Sequence, residues 1–300
     1  MSTIVTGAAG FIGRTLVAAL LDAGDTVIGI DRQPQPPLPG LTALTADLVE
    51  DRDTVRPVLA GGDRVFHLAG CPGVRGAGPG IDARRHHDNV LATAAVLDAV
   101  PVGTPLVVTS SSSVYGGSAG ARPSAEGDPL RPRGGYARSK IDAERLCLAR
   151  LDTGAAVAIA RPFTVAGEGQ RSDMALAQWI AAARAGRPLR LLGSDQRTRD
   201  ITDVRQVALA LIALTERGAA GLVNIGGGVG QTLRAMVDAV AAALDTEVRT
   251  YVEPADRVEP ADTLADTRTL RARIGWMPET DLPALVARQV AAAAPHPAVA

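Results

Sequence analysis

Through the first half of the chain, short apolar runs alternate with longer stretches whose apolar positions recur every three or four residues. That alternation marks β-strands followed by amphipathic helices. It predicts strands at Thr3–Thr6, Thr26–Ile30, Leu41–Thr45, Arg64–Leu68, Leu106–Ser110 and Ala156–Ala160. Helices are expected between them at Ile12–Ala23, Asp88–Val100 and Tyr136–Leu151. The strand candidates read as continuous apolar runs, which fits burial on both faces of a parallel sheet.

After Arg161 the alternation loosens. Helices at Ala175–Ala185, Val204–Thr215 and Leu233–Leu244 and a strand at Gly221–Ile225 are expected. Gly193 to Asp200 is a Gly-, Asp- and Arg-rich segment, the Pro-, Asp- and Glu-rich stretch from Tyr251 to Ala265 reads as irregular, and the tail after Gln289 as frayed. The fold class is therefore α/β: a doubly wound parallel-sheet Rossmann fold over residues 1–163, with a smaller interleaved C-terminal substrate-binding lobe mainly over 164–300. Residues 201–227 are expected to return to the main sheet.

Composition narrows the partners. The 300 residues are 46% hydrophobic, 21% charged and 3% aromatic, so aliphatic side chains must fill a large core. A net charge of −1 offers no broad basic surface, and neither nucleic acid nor membrane is expected as a partner. Any anionic ligand must be held by a local cluster of Arg and backbone N–H groups. Cys71 and Cys147 are too few for a disulfide framework, and neither they nor His86 and His87 have metal-ligand spacing. No metal is expected. The N-terminus enters a strand directly and no long apolar span follows, so the chain reads as cytoplasmic.

Gly7-Ala8-Ala9-Gly10-Phe11-Ile12-Gly13 follows the first strand and opens the first helix. Glycines there permit a tight turn and close approach of backbone to a pyrophosphate at the helix N-terminus. Asp31 ends the second strand, where a carboxylate bonds both adenine-ribose hydroxyls and repels a 2′-phosphate, so NAD is favoured over NADP. Arg32 beside it reads as a surface charge, although it has the chemistry to accept that phosphate. Tyr136 and Lys140 stand four apart on one helix face, a spacing at which an ammonium favours the phenolate of a general base. A serine run from Ser110 to Ser113 follows the fifth strand, at the carboxyl edge where such sheets bind ligands.

The Gly-x-x-Gly-x-x-Gly spacing resembles the short-chain dehydrogenase/reductase family. Asp47-Leu48 is similar to that family's adenine-contacting pair. His67-Leu68-Ala69-Gly70 resembles the strand motif that passes under the cofactor, with His67 read as structural, and Asn89 matches its structural Asn. Ser110 to Gly116 resembles the Ser-x-x-Val-Tyr-Gly of extended members, which implies Ser111 as the catalytic hydroxyl. The resemblance implies that Ser111 holds a sugar hydroxyl, Tyr136 takes its proton and NAD takes the hydride. It also implies that Lys140 lowers the tyrosine pKa and holds the nicotinamide ribose.

Pro123-x-x-Glu126-x-Asp128-Pro129, Arg199-Asp200 and Gly275-Trp276-x-Pro278 extend the resemblance to sugar-nucleotide enzymes almost end to end. It places Arg199 on the nucleotide diphosphate, with Arg257, one residue out of register, as a second ligand. Thr164 stands where most relatives have Asn. The pattern Phe163-Thr164-Val165-x-Gly167, followed by Arg171-x-Asp173-Met174-Ala175, resembles the UDP-glucuronate 4-epimerases, as does Gly73-Val74-Arg75. Ser112, Ser113, Thr164, Arg171 and Met174 are the implied sugar contacts. The chain departs from that pattern at Ala166 (usually Tyr), at Glu168 (usually Pro) and over Gly76–Gly80. Dehydratases of this family carry Asp-Glu at Ser112-Ser113 and decarboxylases usually carry Glu at Ser113, so oxidation and re-reduction at C4 is preferred. The implied activity is NAD-dependent conversion of UDP-glucuronate to UDP-galacturonate through a 4-keto intermediate. The open alternatives are a 4-epimerase or ketoreductase of another nucleotide hexose, a UDP-glucuronate decarboxylase, and an NAD(H)-sensing regulator. A homodimer through the helices near Asp88–Val100 and Tyr136–Leu151 is expected by analogy.

Overall fold

The computed structural model describes residues 1–73, 78–118, 120 and 122–293, so Val74, Arg75 and the start of the Gly76–Gly80 stretch lie outside the described residues. The first half runs β1 (Ser2–Thr6), α1 (Phe11–Asp22), β2 (Thr26–Asp31), β3 (Leu41–Thr45), α2 (Arg52–Ala60), β4 (Arg64–His67) and α3 (Ile81–Arg85). A π-helical turn (His86–Leu91) leads into α4 (Ala92–Ala99), β5 (Leu106–Thr109), a 3₁₀ turn (Ser112–Tyr115), α5 (Gly135–Leu151) and β6 (Val157–Pro162). The second half adds β7 (Thr164–Ala166), α6 (Ala175–Arg184), β8 (Leu189–Leu192), β9 (Thr198–Asp203), α7 (Val204–Glu216) and β10 (Gly221–Ile225). It ends with β11 (Gly230–Thr232), α8 (Leu233–Leu244), β12 (Thr250–Glu253), α9 (Arg268–Ile274) and α10 (Leu282–Ala292).

Seven strands form one sheet in the order β10-β6-β5-β4-β1-β2-β3, each paired in parallel with its neighbours. Side chains alternate across it. Val5, Val27, Phe66 and Val107 pack with Leu16, Val17 and Leu20 of α1 and with Val207 and Leu211 of α7. Ile4, Ile30, Val65 and Val108 pack with Val55, Leu59, Val96 and Cys147 of α2, α4 and α5. Each fully buried aliphatic side chain contributes about 1.5–3 kcal/mol, so the two layers hold the strand ends firmly in register. The strand order reverses on either side of β1, which opens a crevice at the carboxyl ends of β1 and β4.

A third core builds the smaller lobe, where Leu176, Ile180, Met236, Val240, Leu285 and Val286 of α6, α8 and α10 close over Leu189 and Leu191 of β8. The lobes interleave: after β9 the chain returns to the main sheet as α7 and β10.

Several elements differ from the sequence reading. The helix expected at Asp88–Val100 begins earlier, at Ile81, and passes through the π-helical turn. The Gly-, Asp- and Arg-rich segment ending at Asp200 contains the start of β9, and β12 opens the stretch expected as loop by pairing in parallel with β8. Helix α10 continues past Gln289 to Ala292, and residues 294–300 of the tail expected to fray lie outside the described residues. Gln289 is buried within α10, and its Nε2 donates to Gly167 O at 2.9 Å and to Gln170 Oε1 at 2.7 Å. The interior Pro57 hides α2 from the periodic pattern. Among the described residues no helix is long and apolar enough to cross a membrane.

Candidate active site

A cavity of about 600 Å³ runs along the carboxyl ends of the strands and under the smaller lobe. Its floor is the turn from β1 to α1. Gly7 has φ +71°, and a Cβ there would lie 2.5 Å from Ala69 N. At Gly13 a Cβ would meet Gly7 O at 2.0 Å, so the helix packs backbone to backbone against the turn. Gly10 caps α1 without a side-chain hydrogen bond, which leaves the first-turn N–H groups facing the cavity lined by Gly10, Phe11, Ile12 and Gly13.

Asp31 closes one end. Its Oδ2 accepts from Ala9 N at 3.0 Å and its Oδ1 from Gln33 N at 2.9 Å, so two backbone donors fix its orientation. Asp47 Oδ1 accepts from Val49 N at 2.8 Å, which shapes the turn carrying Leu48. Leu68, Ala69 and Gly70 form the opposite wall. Asn89 staples that wall to α5: Cys71 N donates to its Oδ1 at 2.8 Å and its Nδ2 donates to Ser139 Oγ at 2.8 Å. His67 is buried between the hydroxyls of Thr6 (2.7 Å) and Thr93 (3.0 Å), and burial pulls its pKa down to about 3. It is a neutral structural histidine. The glycine cradle, the open helix end and the oriented Asp31 fit a dinucleotide.

Tyr136 and Lys140 project from successive turns of α5 into the middle of the cavity. Burial pushes the Tyr136 phenol up, while its hydrogen bond to the Ser111 side chain and the positive charges of Arg171 and Arg85 oppose the shift. Lys140 Nζ donates to Thr109 O at 2.9 Å, and burial lowers it to about 8. Ser111 caps the 3₁₀ turn, accepting at Oγ from Ser113 N at 3.2 Å. The buried Ser113 Oγ has no hydrogen-bond partner among the described residues, although the residue lines the cavity.

Thr164, Arg171, Met174 and Ser112 line the same chamber. Arg171 is held by Asp173 through Nε–Oδ1 (2.9 Å) and Nη2–Oδ2 (2.7 Å). Arg199 also lines the cavity. It donates to Glu259 Oε1 at 2.5 Å, to Pro260 O and Ala261 O at 2.9 Å, and to Thr198 O at 2.7 Å. Arg257 is exposed and falls outside the lining, which instead takes Val258, Glu259 and Pro260 from that loop. The sequence reading missed Glu259, Gln170, Trp179 and Arg190. Trp179 Nε1 donates to Arg190 O at 2.8 Å, so the indole is fixed in the cavity wall. At Glu168 the departure from the family pattern has a structural role: the carboxylate meets Arg205 at 2.5 Å and Arg288 at 3.0 Å, pinning the Thr164–Met174 loop to α7 and α10. Among the described residues no group of three His, Cys, Asp or Glu is arranged to hold a metal ion.

A seven-stranded doubly wound sheet with this crevice and a Ser–Tyr–Lys cluster defines an extended short-chain dehydrogenase/reductase. The chain belongs to the NAD dependent epimerase/dehydratase family, whose model matches residues 3–226. It is 32% identical to an uncharacterized UDP-glucose epimerase, YtcB, of Bacillus subtilis (strain 168), over 94% of each chain. Among solved structures it is similar to MoeE5 in complex with UDP-glucuronic acid and NAD, at 36% identity and TM-score 0.87, covering 97% of this chain and 98% of that one. It is also similar to UDP-glucuronic acid 4-epimerase from Bacillus cereus in complex with UDP-glucuronic acid and NAD, at 26% identity and TM-score 0.88 with the same coverage. The cofactor of this family is NAD.

Proposed function

We propose that the protein epimerises UDP-glucuronate at C4, giving UDP-galacturonate. The observation that carries this reading is the single chamber that Ser113, Thr164 and Arg171 line beside the Tyr136 phenol. Hydroxyl and guanidinium donors around one chamber suit a carboxylate, the strongest hydrogen-bond acceptor a sugar can carry. The similarity to two proteins solved with UDP-glucuronic acid supports the same substrate. NAD, when bound, supplies a hydride acceptor that returns the hydride within the same cycle. In this reading Ser111 holds the C4 hydroxyl and Tyr136 takes its proton and later gives it back. Lys140 bonds the nicotinamide ribose, and Arg199, released from Glu259, bonds the diphosphate. Thr164 and Ser113 hold the C5 carboxylate. Ser112 and Ser113 carry no carboxylate, which speaks against elimination of water or loss of carbon dioxide.

A second reading rests on Arg171. Its charge is already matched by Asp173, so the chamber also suits a neutral hexose, and MoeE5 has been solved with UDP-glucose as well. The test is NMR of the sugar ring protons after incubation with each nucleotide sugar. Conversion of UDP-glucuronate with its carboxylate retained supports the proposal. Turnover of UDP-glucose with no reaction of the uronate moves the assignment to the neutral sugar. We further infer a homodimer, supported by the exposed Leu91 (40%) and Leu148 (38%) on the helical segments around Asp88–Val100 and Tyr136–Leu151. The buried free thiols of Cys71 and Cys147 suit a cytoplasmic setting.

A further inference from the structure

Arg32 sits one residue beyond Asp31, where a guanidinium would bond a 2′-phosphate on the adenine ribose. The side chain is 44% exposed, yet it is not loose. Its Nη1 and Nη2 meet Asp88 Oδ1 at 3.0 Å and Oδ2 at 2.6 Å in a two-pronged pair, and Nη1 also meets Asp47 Oδ2 at 3.4 Å. The Asp88 side chain is 4% exposed and receives two more donors, His87 Nδ1 at 2.9 Å and Arg84 Nε at 3.4 Å. Arg32, Asp47, His87 and Asp88 all line the cavity next to Asp31.

Asp88, Asn89 and Val90 lie together in the π-helical turn, and all three are buried. Asn89 faces Cys71 and Ser139 while its neighbour Asp88 faces Arg32.

We propose that Asp88 is a positioning residue for cofactor discrimination: it locks Arg32 away from the 2′ position, so that the enzyme rejects NADP for two separate reasons. Asp31 repels the phosphate directly. Asp88 withholds the nearby cation that would otherwise receive it. This rests on the NAD reading of the crevice and goes beyond it, because it predicts that removing Asp31 alone does not open the site to NADP.

The test is competition of NAD⁺ against NADP⁺ for the purified enzyme, with the bound ratio at equilibrium read by native mass spectrometry. Asp31→Ala/Asp88→Asn is expected to favour NADP⁺ at least about tenfold more than Asp31→Ala does, since a freed guanidinium gains a charge-assisted bond to phosphate. Adding Arg32→Gln should abolish that gain. Equal ratios for Asp31→Ala with and without Asp88→Asn, or a gain from Asp88→Asn that survives Arg32→Gln, overturn the proposal. A wild-type protein that takes up neither nucleotide overturns the NAD reading and the proposal together.

Discussion

Arg161 and Glu144 meet in a parallel pair behind the serine turn, Nε to Oε1 at 2.8 Å and Nη2 to Oε2 at 2.7 Å, each side chain 2% exposed. Glu144 also accepts from Ser110 Oγ at 2.5 Å, and Arg161 Nη1 donates to the Tyr115 hydroxyl at 2.8 Å. Tyr115 in turn donates to Asn224 Oδ1 of β10 at 2.7 Å. One buried pair therefore ties α5, β6, β10 and the turn carrying Ser111. Arg161→Met strands a carboxylate without its cation and should cost about 3–5 kcal/mol in urea unfolding. Arg161→Met/Glu144→Leu should recover much of that loss. A single variant as stable as the wild type would show the pair to be dispensable.

The buried Lys140 gives a pH signature. Its folded-state value of about 8 lies below the ordinary 10.5 of a lysine. Between those values the unfolded chain binds more protons than the folded one, so stability from this residue increases as pH rises through that window. Below pH 8 the full cost of holding a buried ammonium is present. Lys140→Met removes the group, so its melting temperature relative to the wild type should be highest below pH 8. That margin should shrink towards pH 10.5, whereas a margin constant across the range would contradict the buried-ammonium account.

Tyr136→Phe keeps the ring in the cavity wall and removes the oxygen that exchanges the proton. Turnover should fall by about 10²–10⁴-fold, the range typical of a lost general acid–base group. NAD should still copurify, because the glycine turn and Asp31 are untouched. Near-normal turnover in stopped assays would assign the proton transfer to another group.

Thr164→Val preserves shape and removes a hydroxyl from the chamber that takes the sugar. A 4-keto uronate is a β-keto acid, which loses carbon dioxide when its carboxylate bond aligns with the ketone π system. Weaker restraint of the carboxylate should lower uronate turnover by about tenfold, one charge-assisted hydrogen bond, and raise the share of UDP-pentose. Product analysis by NMR that shows no pentose and unchanged turnover would remove Thr164 from the carboxylate contacts.

The parts of the molecule legible in the sequence are those whose cause is local. The Gly7–Gly13 turn, the β-strands of the main sheet and the Tyr136–Lys140 face follow from nearest-neighbour spacing. The β8–β12 pairing joins Leu189 to Thr250, and nothing near either residue announces it. Glu259 reaches Arg199 from a Pro- and Asp-rich loop that reads as surface. The π-helical turn is a shift of phase rather than a change of composition, so Asp88 gave no sign of its bond to Arg32. Lys140 sits where the spacing put it, but its hydrogen bond goes to Thr109 O, since a buried ammonium takes the nearest carbonyl.

The return of β10 to the edge of the main sheet also fixes where the chain tolerates a cut. Its five residues pair Gly221 to Ala158 through Ile225 to Pro162, covering the length of β6. A fragment ending at Phe163 would leave β6 with a bare row of backbone donors and acceptors on a wholly buried, apolar strand, an edge that recruits other chains. The nucleotide-binding half is therefore not a detachable module: protease nicks in the outer loops should leave the pieces associated, and the gene segment for residues 1–163 should yield aggregate rather than a folded domain.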